Sequence, residues 1–245
     1  MLEGNKVRES FLSKKYYKFL TLDFAQIELR TLTNACKDLN FISAFDKKID
    51  IHIFTASQIF NLNILTINNQ QRIYGKIINY SVVYGMTPFI LSKSFGLSYI
   101  KSIKFFSSFF KKNPALKSYI KKVIRYAYKY GYIYTIFGRK IFLPYSENNL
   151  DKKDFERFVM NASIQSCSSD IIKKYMIKIS NLINQNNMNK EIEMIIQVHD
   201  EIIFEIYDKG LSFYSEILKN SIIRFNMLDI NMDINIKISD NWIKK

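Results

Sequence analysis

Two runs of β-branched and apolar residues, Ile192–Val198 and Ile202–Ile206, flank the tripeptide His199-Asp200-Glu201. Apolar runs of this length around a short polar break predict two strands joined by an acidic tip. A third strand is predicted far upstream over residues 16–24; its apolar run Tyr17–Leu22 leads to Asp23, 177 residues before Asp200. A last one, near Met232–Ile238, alternates Met232, Ile234, Ile236 and Ile238. Helical patterns fill most of the middle of the chain. A sheet drawing its strands from both ends of a chain must close around whatever lies between them. The expectation is therefore an α+β fold, a small antiparallel sheet with a large helical insertion. Asp23 and Asp200 can meet only through that fold. If they do, two carboxylate oxygen donors held at strand ends suit Mg²⁺.

The helices are expected over residues 26–46, 51–60, 70–84, 87–95, 99–112, 115–130, 152–184 and 210–227. A hairpin is expected over Tyr132–Phe137 and Lys140–Leu143, turning at Gly138-Arg139. At 245 residues and 48% hydrophobic content, the chain can bury a sizeable core and form one or two domains.

Charge is segregated along the chain. Ile51 through Ser146 contains no Asp or Glu and holds 14 of the 36 Lys and Arg, leaving 22 basic residues to balance 22 acidic ones elsewhere. One contiguous segment thus carries the whole net charge of +14. That is the footprint of a polyanion-binding surface, with a merely solvated basic surface as the alternative. Cys36 and Cys167 are isolated and lack metal-ligand spacing, which points to a reducing compartment. No run of 18 apolar residues occurs and no apolar signal region opens the chain, so no membrane partner is expected and an intracellular location is. Abundant Ile, Lys, Asn, Tyr and Phe suggest an AT-rich genome, hence a bacterial cytoplasm, that of a symbiont included, or an organelle matrix.

Within the basic segment, Arg72, Lys76, Tyr80 and Tyr84 recur every four residues. On a helix such positions drift slowly and share one stripe. Two cations followed by two aromatic rings suit a nucleoside triphosphate, phosphates against the cations and base or sugar against the rings. The alternative is an amphipathic helix with incidental cations.

Taken together, these segments resemble the family A DNA polymerases. Asp23-Phe24-Ala25-Gln26-Ile27-Glu28-Leu29-Arg30 is similar to the family's first palm motif, and Asp50-Ile51-His52 to its Asp-Ile-His. The run Arg72-x3-Lys76-x3-Tyr80-x3-Tyr84-Gly85 is similar to its nucleotide-binding fingers helix. Gly131-Tyr132 through Thr135, Gly138-Arg139-Lys140 and Leu143-Pro144 match a further block. Glu156-Arg157-x3-Asn161-x3-Gln165 with Asp170-Ile171-Ile172-Lys173 matches another. Gln197-Val198-His199-Asp200-Glu201 matches the last palm motif, and Asn241-Trp242 resembles the family's C-terminal end.

The resemblance implies palm at residues 1–50 and 147–245 and helical, basic fingers at 51–146. It implies Asp23 and Asp200 as ligands of two Mg²⁺ ions, with Glu201 a secondary acidic residue. Arg72 and Lys76 would grip the triphosphate of a dNTP, Lys76 also donating a proton to pyrophosphate, and His52 would add a phosphate contact. Tyr80 would stack on the incoming nucleotide; its hydroxyl favours acceptance of dideoxynucleotides. Gln26 and Glu28 would line the nucleotide site, Glu28 excluding a 2′-hydroxyl. Tyr84, Arg157, Asn161, Gln165 and His199 would touch the primer–template, and the helices at 93–129 would face its backbone. The activity implied is template-directed DNA synthesis in replication or repair. The alternatives are a single-subunit RNA polymerase and an inactive relic that binds nucleic acid.

Some positions depart from the family pattern. Tyr74 and Gly75 replace small helix-favouring residues, and a helical Gly costs about 1 kcal/mol relative to Ala. Ser81 stands where many relatives carry Gly, and the chain stops at Lys245 without the family's terminal His. Only 22 residues precede Asp23. That is too few for the thumb and exonuclease, so a C-terminal portion or subunit of the right-hand polymerase fold is expected, with an upstream polypeptide supplying both.

Overall fold

The computed structural model describes residues 7–144, 151–224 and 227–242. The α+β expectation is met. Six strands and nine α-helices are found among the described residues. Two compact units share the chain: residues 1–27, 171–227 and 231–245 form one, residues 28–170 and 228–230 the other.

The first unit contains the four-stranded sheet. Its strands are β1 (Tyr17–Phe24), β4 (Ile192–Val198), β5 (Glu201–Tyr207) and β6 (Ile234–Ser239), in the order β4-β5-β1-β6, antiparallel throughout. β1 is therefore central, between two strands from the far end of the chain. Its period-2 pattern sends Leu20, Leu22 and Phe24 into the core, all with 0% exposure. Ile202, Phe204 and Ile206 of β5 are equally buried. The ring of Phe24 meets Tyr175, 5.1 Å between centroids. Tyr175 belongs to the long helix α8 (Lys152–Gln185), which contributes its C-terminal half, Ile171, Ile172, Tyr175, Ile179 and Ile183, to this core. α9 (Leu211–Arg224) adds Leu218 and Ile222. The expected end of that helix at residue 227 runs through positions outside the described residues.

The second unit is helical. It holds α1 (Ile27–Cys36), α2 (Leu39–Asp46), α3 (Ile51–Phe60), α4 (Asn69–Val83), α5 (Pro88–Phe95), α6 (Tyr99–Lys112), α7 (Pro114–Tyr130) and the first part of α8, with the small hairpin β2 (Tyr132–Tyr134) and β3 (Lys140–Phe142). Leu29, Leu32, Phe41, Ile51, Ile78, Val82, Phe105 and Phe109 form the centre of its core.

The single helix expected over 26–46 is two. Lys37 takes a left-handed φ of 53° and the Asp38 carboxylate accepts from the N–H groups of Asn40 and Phe41, starting a new helix. The apolar period survives the break, so periodicity alone missed it. The small hairpin is shorter than expected and turns over Thr135–Gly138, where the Gly138 N–H donates to the Thr135 carbonyl.

Candidate active site

The β4–β5 connection is only His199-Asp200, since Val198 pairs with Glu201. So tight a loop needs a positive φ, and His199 supplies it at 52°, in a region that His enters more readily than most residues. The Gln197 side-chain amide donates to the His199 carbonyl at 2.8 Å and steadies the tip. The Phe24 N–H donates to the Asp200 carbonyl at 3.0 Å, tying the tip to the end of β1. In that register Asp23 lies opposite Glu201 on one side and Asn235 on the other. The fold therefore brings Asp23, near the end of β1, and Asp200, in the adjoining β4–β5 tip, to one end of the sheet, although they are 177 residues apart.

Residues directly opposite across antiparallel strands share a face, and like charges there repel. Two neighbours answer this. The Asn235 side-chain amide donates to an Asp23 carboxylate oxygen at 3.3 Å. Glu201 is engaged by Arg8, whose Nη1 lies 3.2 Å from its Oε2. The Arg8 guanidinium also sits 4.3 Å from the Trp242 ring centroid, and Trp242 meets Phe11 edge-on. Arg8 and Asn235 escaped the sequence reading because their partners lie far away in the sequence and meet them only in the fold. Among the described residues no group of three or more His, Cys, Asp or Glu is clustered as a metal site. A carboxylate pair still fits Mg²⁺, which keeps several waters and takes one or two carboxylates plus substrate phosphates.

Arg8→Ala leaves the Glu201 side chain, 14% exposed, without that cation and opposite Asp23. The expected cost is about 2 kcal/mol in a urea titration. Arg8→Lys should regain part of it, and so should adding Glu201→Gln; a variant as stable as the parent would remove the ion pair from the account.

In the helical unit, the stripe forms as its spacing predicts. α4 opens on a capping box between Asn68 and Gln71. It closes with Tyr84 as cap and Gly85 at φ 62°, the N–H groups of Met86 and Gly85 reaching the carbonyls of Ser81 and Val82. Tyr80 and Tyr84 stack, 6.1 Å apart and 16° from parallel, and Lys76 Nζ lies 5.9 Å from the Tyr80 centroid. Arg72 donates from Nε and Nη2 to Asp50 Oδ2 at 2.9 and 2.7 Å.

Asp50 has a second task. Its Oδ1 accepts from the His52 and Ile53 N–H groups, capping α3. Burial pushes the Asp50 carboxyl up, but the Arg72 hydrogen bond and these two N–H groups outweigh it and hold the pKa below its ordinary 3.8. A depressed carboxylate pKa stabilises the fold above the unfolded-state value, and that contribution is lost as pH falls through the folded one. Asp50→Ala should therefore cost about 1–2 kcal/mol at neutral pH, from cap and partly exposed ion pair together. In urea titrations the gap between parent and variant should close below pH ~4; a gap independent of pH would contradict the assignment.

His52 is 4% exposed, and its ring lies 5.9 Å from that of Tyr80. Burial is the main cause that drops its pKa to about 4, with Arg72 and Lys76 adding to the shift and Asp50 opposing it. The imidazole is thus neutral at physiological pH. Asn79 fixes its tautomer. The Asn79 Nδ2 lies 3.2 Å from the Ile51 carbonyl, which can only accept, so this atom is the amide nitrogen. The same nitrogen lies 3.1 Å from His52 Nδ1, which must then be the acceptor. The ring proton resides on Nε2. Thr55 completes the network by donating to Asn79 Oδ1 at 2.8 Å. Asn79 carries no signal in the sequence, being one polar residue in a helix.

The remaining expected residues are more scattered. Gln26, with φ 55°, and Glu28, in the first turn of α1, are half-buried. Arg157 pairs with Asp154 at 3.1 Å, and a Cβ at Gly85 would lie 3.0 Å from the Arg157 Cα, so the end of α4 packs closely on α8. Asn161 has a buried Oδ1 without a hydrogen-bond partner. Gln165 and His199 are exposed. Ser81, where relatives often carry Gly, buries its Oγ without a partner.

A family model described as DNA polymerase family A matches residues 1–244. The chain belongs to that family. It is 29% identical over 242 residues to DNA polymerase I of Pseudomonas aeruginosa, covering 98% of this chain and 26% of that protein. DNA polymerase I of Treponema pallidum is 31% identical over 242 residues, with 98% and 24% covered. Among solved structures, the polymerase domain of Pol1 from M. smegmatis, in complex with DNA primer–template and dNTP, superposes with a TM-score of 0.88 at 26% identity. That match covers 99% of this chain and 43% of the other. This family A chain spans about a quarter of the length of the curated relatives it matches. Among its described residues, no helix is long and apolar enough to cross a membrane.

Proposed function

We propose that this chain carries the nucleotidyl-transfer centre of a DNA polymerase, extending a primer 3′-hydroxyl with deoxynucleotides and releasing pyrophosphate. The observation that carries the reading is the union of Asp23 and Asp200 at one end of the sheet. Residues 1–50 and 147–245 act as palm and 51–146 as fingers, with DNA and a dNTP as partners, as in the structural relative from M. smegmatis.

Asp23 and Asp200 are the residues that would hold two Mg²⁺ ions. Bound Mg²⁺ lowers the pKa of the primer hydroxyl and offsets charge on the leaving pyrophosphate. Lys76, exposed on α4, meets the triphosphate and gives pyrophosphate its proton. Arg72 joins it with the guanidinium oriented by Asp50. His52 takes part as a neutral donor through Nε2–H, which adds a hydrogen bond without adding charge. The Tyr80 ring receives the base or sugar, and Glu28 excludes a 2′-hydroxyl. Tyr84, Arg157, Asn161, Gln165 and His199 contact primer–template, and Gln26 lines the nucleotide site. Glu201 is a supporting carboxylate held by Arg8 rather than a third ligand. An intracellular setting accords with the bacterial relatives.

The family match favours this reading over a single-subunit RNA polymerase. Primer extension with dNTPs and with rNTPs, by the chain alone and with any polypeptide that precedes it, tests the choice. Preference for dNTPs is expected, and Glu28→Ala should weaken it. Equal use of rNTPs by the parent would overturn the substrate assignment. Salt-sensitive DNA binding with no Mg²⁺-dependent extension would indicate a relic.

A further inference from the structure

The β2–β3 hairpin has two unlike faces. Ile133, Ile141 and Leu143 point to a small core with Ala127, Phe155 and Val159. The register Tyr132↔Phe142 and Tyr134↔Lys140 gathers three rings and a lysine on the other face. α7 extends this surface with Tyr126 and Tyr130, one turn apart. The rings run in sequence: Tyr126 to Tyr130 is 4.5 Å, Tyr130 to Tyr132 is 6.0 Å and Tyr132 to Tyr134 is 5.3 Å. Lys140 Nζ stands 3.7 Å from the Tyr132 centroid and 4.7 Å from that of Phe142. Phe142 is 74% exposed, Tyr134 48% and Tyr130 46%, so the rings are not there to fill a core. An apolar patch of this kind marks a binding surface.

We infer that this aromatic ladder binds single-stranded nucleic acid, the unpaired template ahead of the primer, by stacking bases on Tyr130, Tyr134 and Phe142. Charge supports that occupant: Lys122, Arg125 and Lys129 are exposed on α7 beside the rings, and no acidic residue occurs between Ile51 and Ser146. Asp151 and Glu156 act on Tyr128 of α7, which points away from the Tyr126–Tyr130 stripe. Tyr132 packs against the rings of Tyr126 and Tyr134 at 5.8 and 5.3 Å, both edge-on, so the rings brace one another. Bases inside a duplex have both faces covered by their neighbours, whereas every unpaired base offers a π-face to the rings. Assigning the strand as template rests on the polymerase reading; binding of a single strand does not.

The test is fluorescence anisotropy with a labelled oligo-dT of about ten nucleotides, a primer–template with a 5′ overhang, and a blunt duplex, without Mg²⁺ or dNTP. Combined Tyr130→Ala, Tyr134→Ala and Phe142→Ala should weaken oligo-dT and overhang binding by about 150-fold or more, at one to three kcal/mol per stacked base. Blunt-duplex affinity should stay within about twofold. Tyr130→Phe with Tyr134→Phe, which keeps the π-faces, should bind like the parent. Phe142→Ala alone, expected to weaken oligo-dT about fivefold or more, serves if the triple variant is unstable. Failure of the parent to bind oligo-dT, undiminished binding by the Ala variants, or equal loss on blunt duplex would overturn the proposal. Oligo-dT binding that persists when primer extension is absent would leave the ladder standing and the polymerase reading refuted.

Discussion

Asp200→Asn is expected to reduce Mg²⁺-dependent primer extension by about three orders of magnitude, from several kcal/mol of lost metal-borne charge stabilisation. The fold should survive. The tip is fixed by backbone and neighbours: Asp200 offers its carbonyl to the Phe24 N–H, His199 makes the turn and Gln197 braces it. Asn is nearly isosteric, so the thermal midpoint should move by no more than a half-kcal/mol change allows, about 2 °C. Asp23→Asn should fall as far, and the double variant little further, because two ligands of one metal pair act as a unit. A second readout separates metal binding from turnover: Mn²⁺ bound to the chain, followed by electron paramagnetic resonance, should decline in both variants. Unchanged extension, or unchanged Mn²⁺ binding in Asp23→Asn and Asp200→Asn alike, would sink the metal assignment.

The sheet was legible because its alternation is strict. Leu20, Leu22 and Phe24 stand on one face of β1 and Asp23 on the other, while the two-residue gap at His199-Asp200 leaves little choice but a tight turn. The α4 stripe was legible for a similar reason, since four-residue spacing fixes a face whatever surrounds it. What sequence could not disclose were partners supplied by tertiary structure. Arg8 lies 193 residues from Glu201, and nothing near either residue names the other. Asn79 appears as an ordinary polar helix residue, yet it decides which nitrogen of His52 carries the proton. The break at Lys37-Asp38 had a local signal, an Asp ahead of an apolar run, which the continuing helical period masked.

Gly75→Ala should cost more than 3 kcal/mol, although Ala is the better helix former by about 1 kcal/mol. The sequence presents Gly75 as a local weakness of α4. In the fold it is where α4 crosses α3: a Cβ there would overlap the His52 carbonyl oxygen and lie 2.9 Å from the Ala56 nitrogen. Both obstacles are backbone atoms of a packed helix, so no side chain can turn aside to make room. Overpacking costs about 1–3 kcal/mol where neighbours can adjust, and here they cannot without moving α3. That displacement reaches the site directly, because the residue whose carbonyl is struck is His52, seated beside Tyr80 and bonded to Asn79. A urea titration should show the loss of stability. Mild conditions that keep the variant folded should show weaker dNTP binding as well. An Ala variant as stable as the parent would mean that the two helices do not approach so closely, and that Gly75 is the simple propensity defect its sequence context suggests.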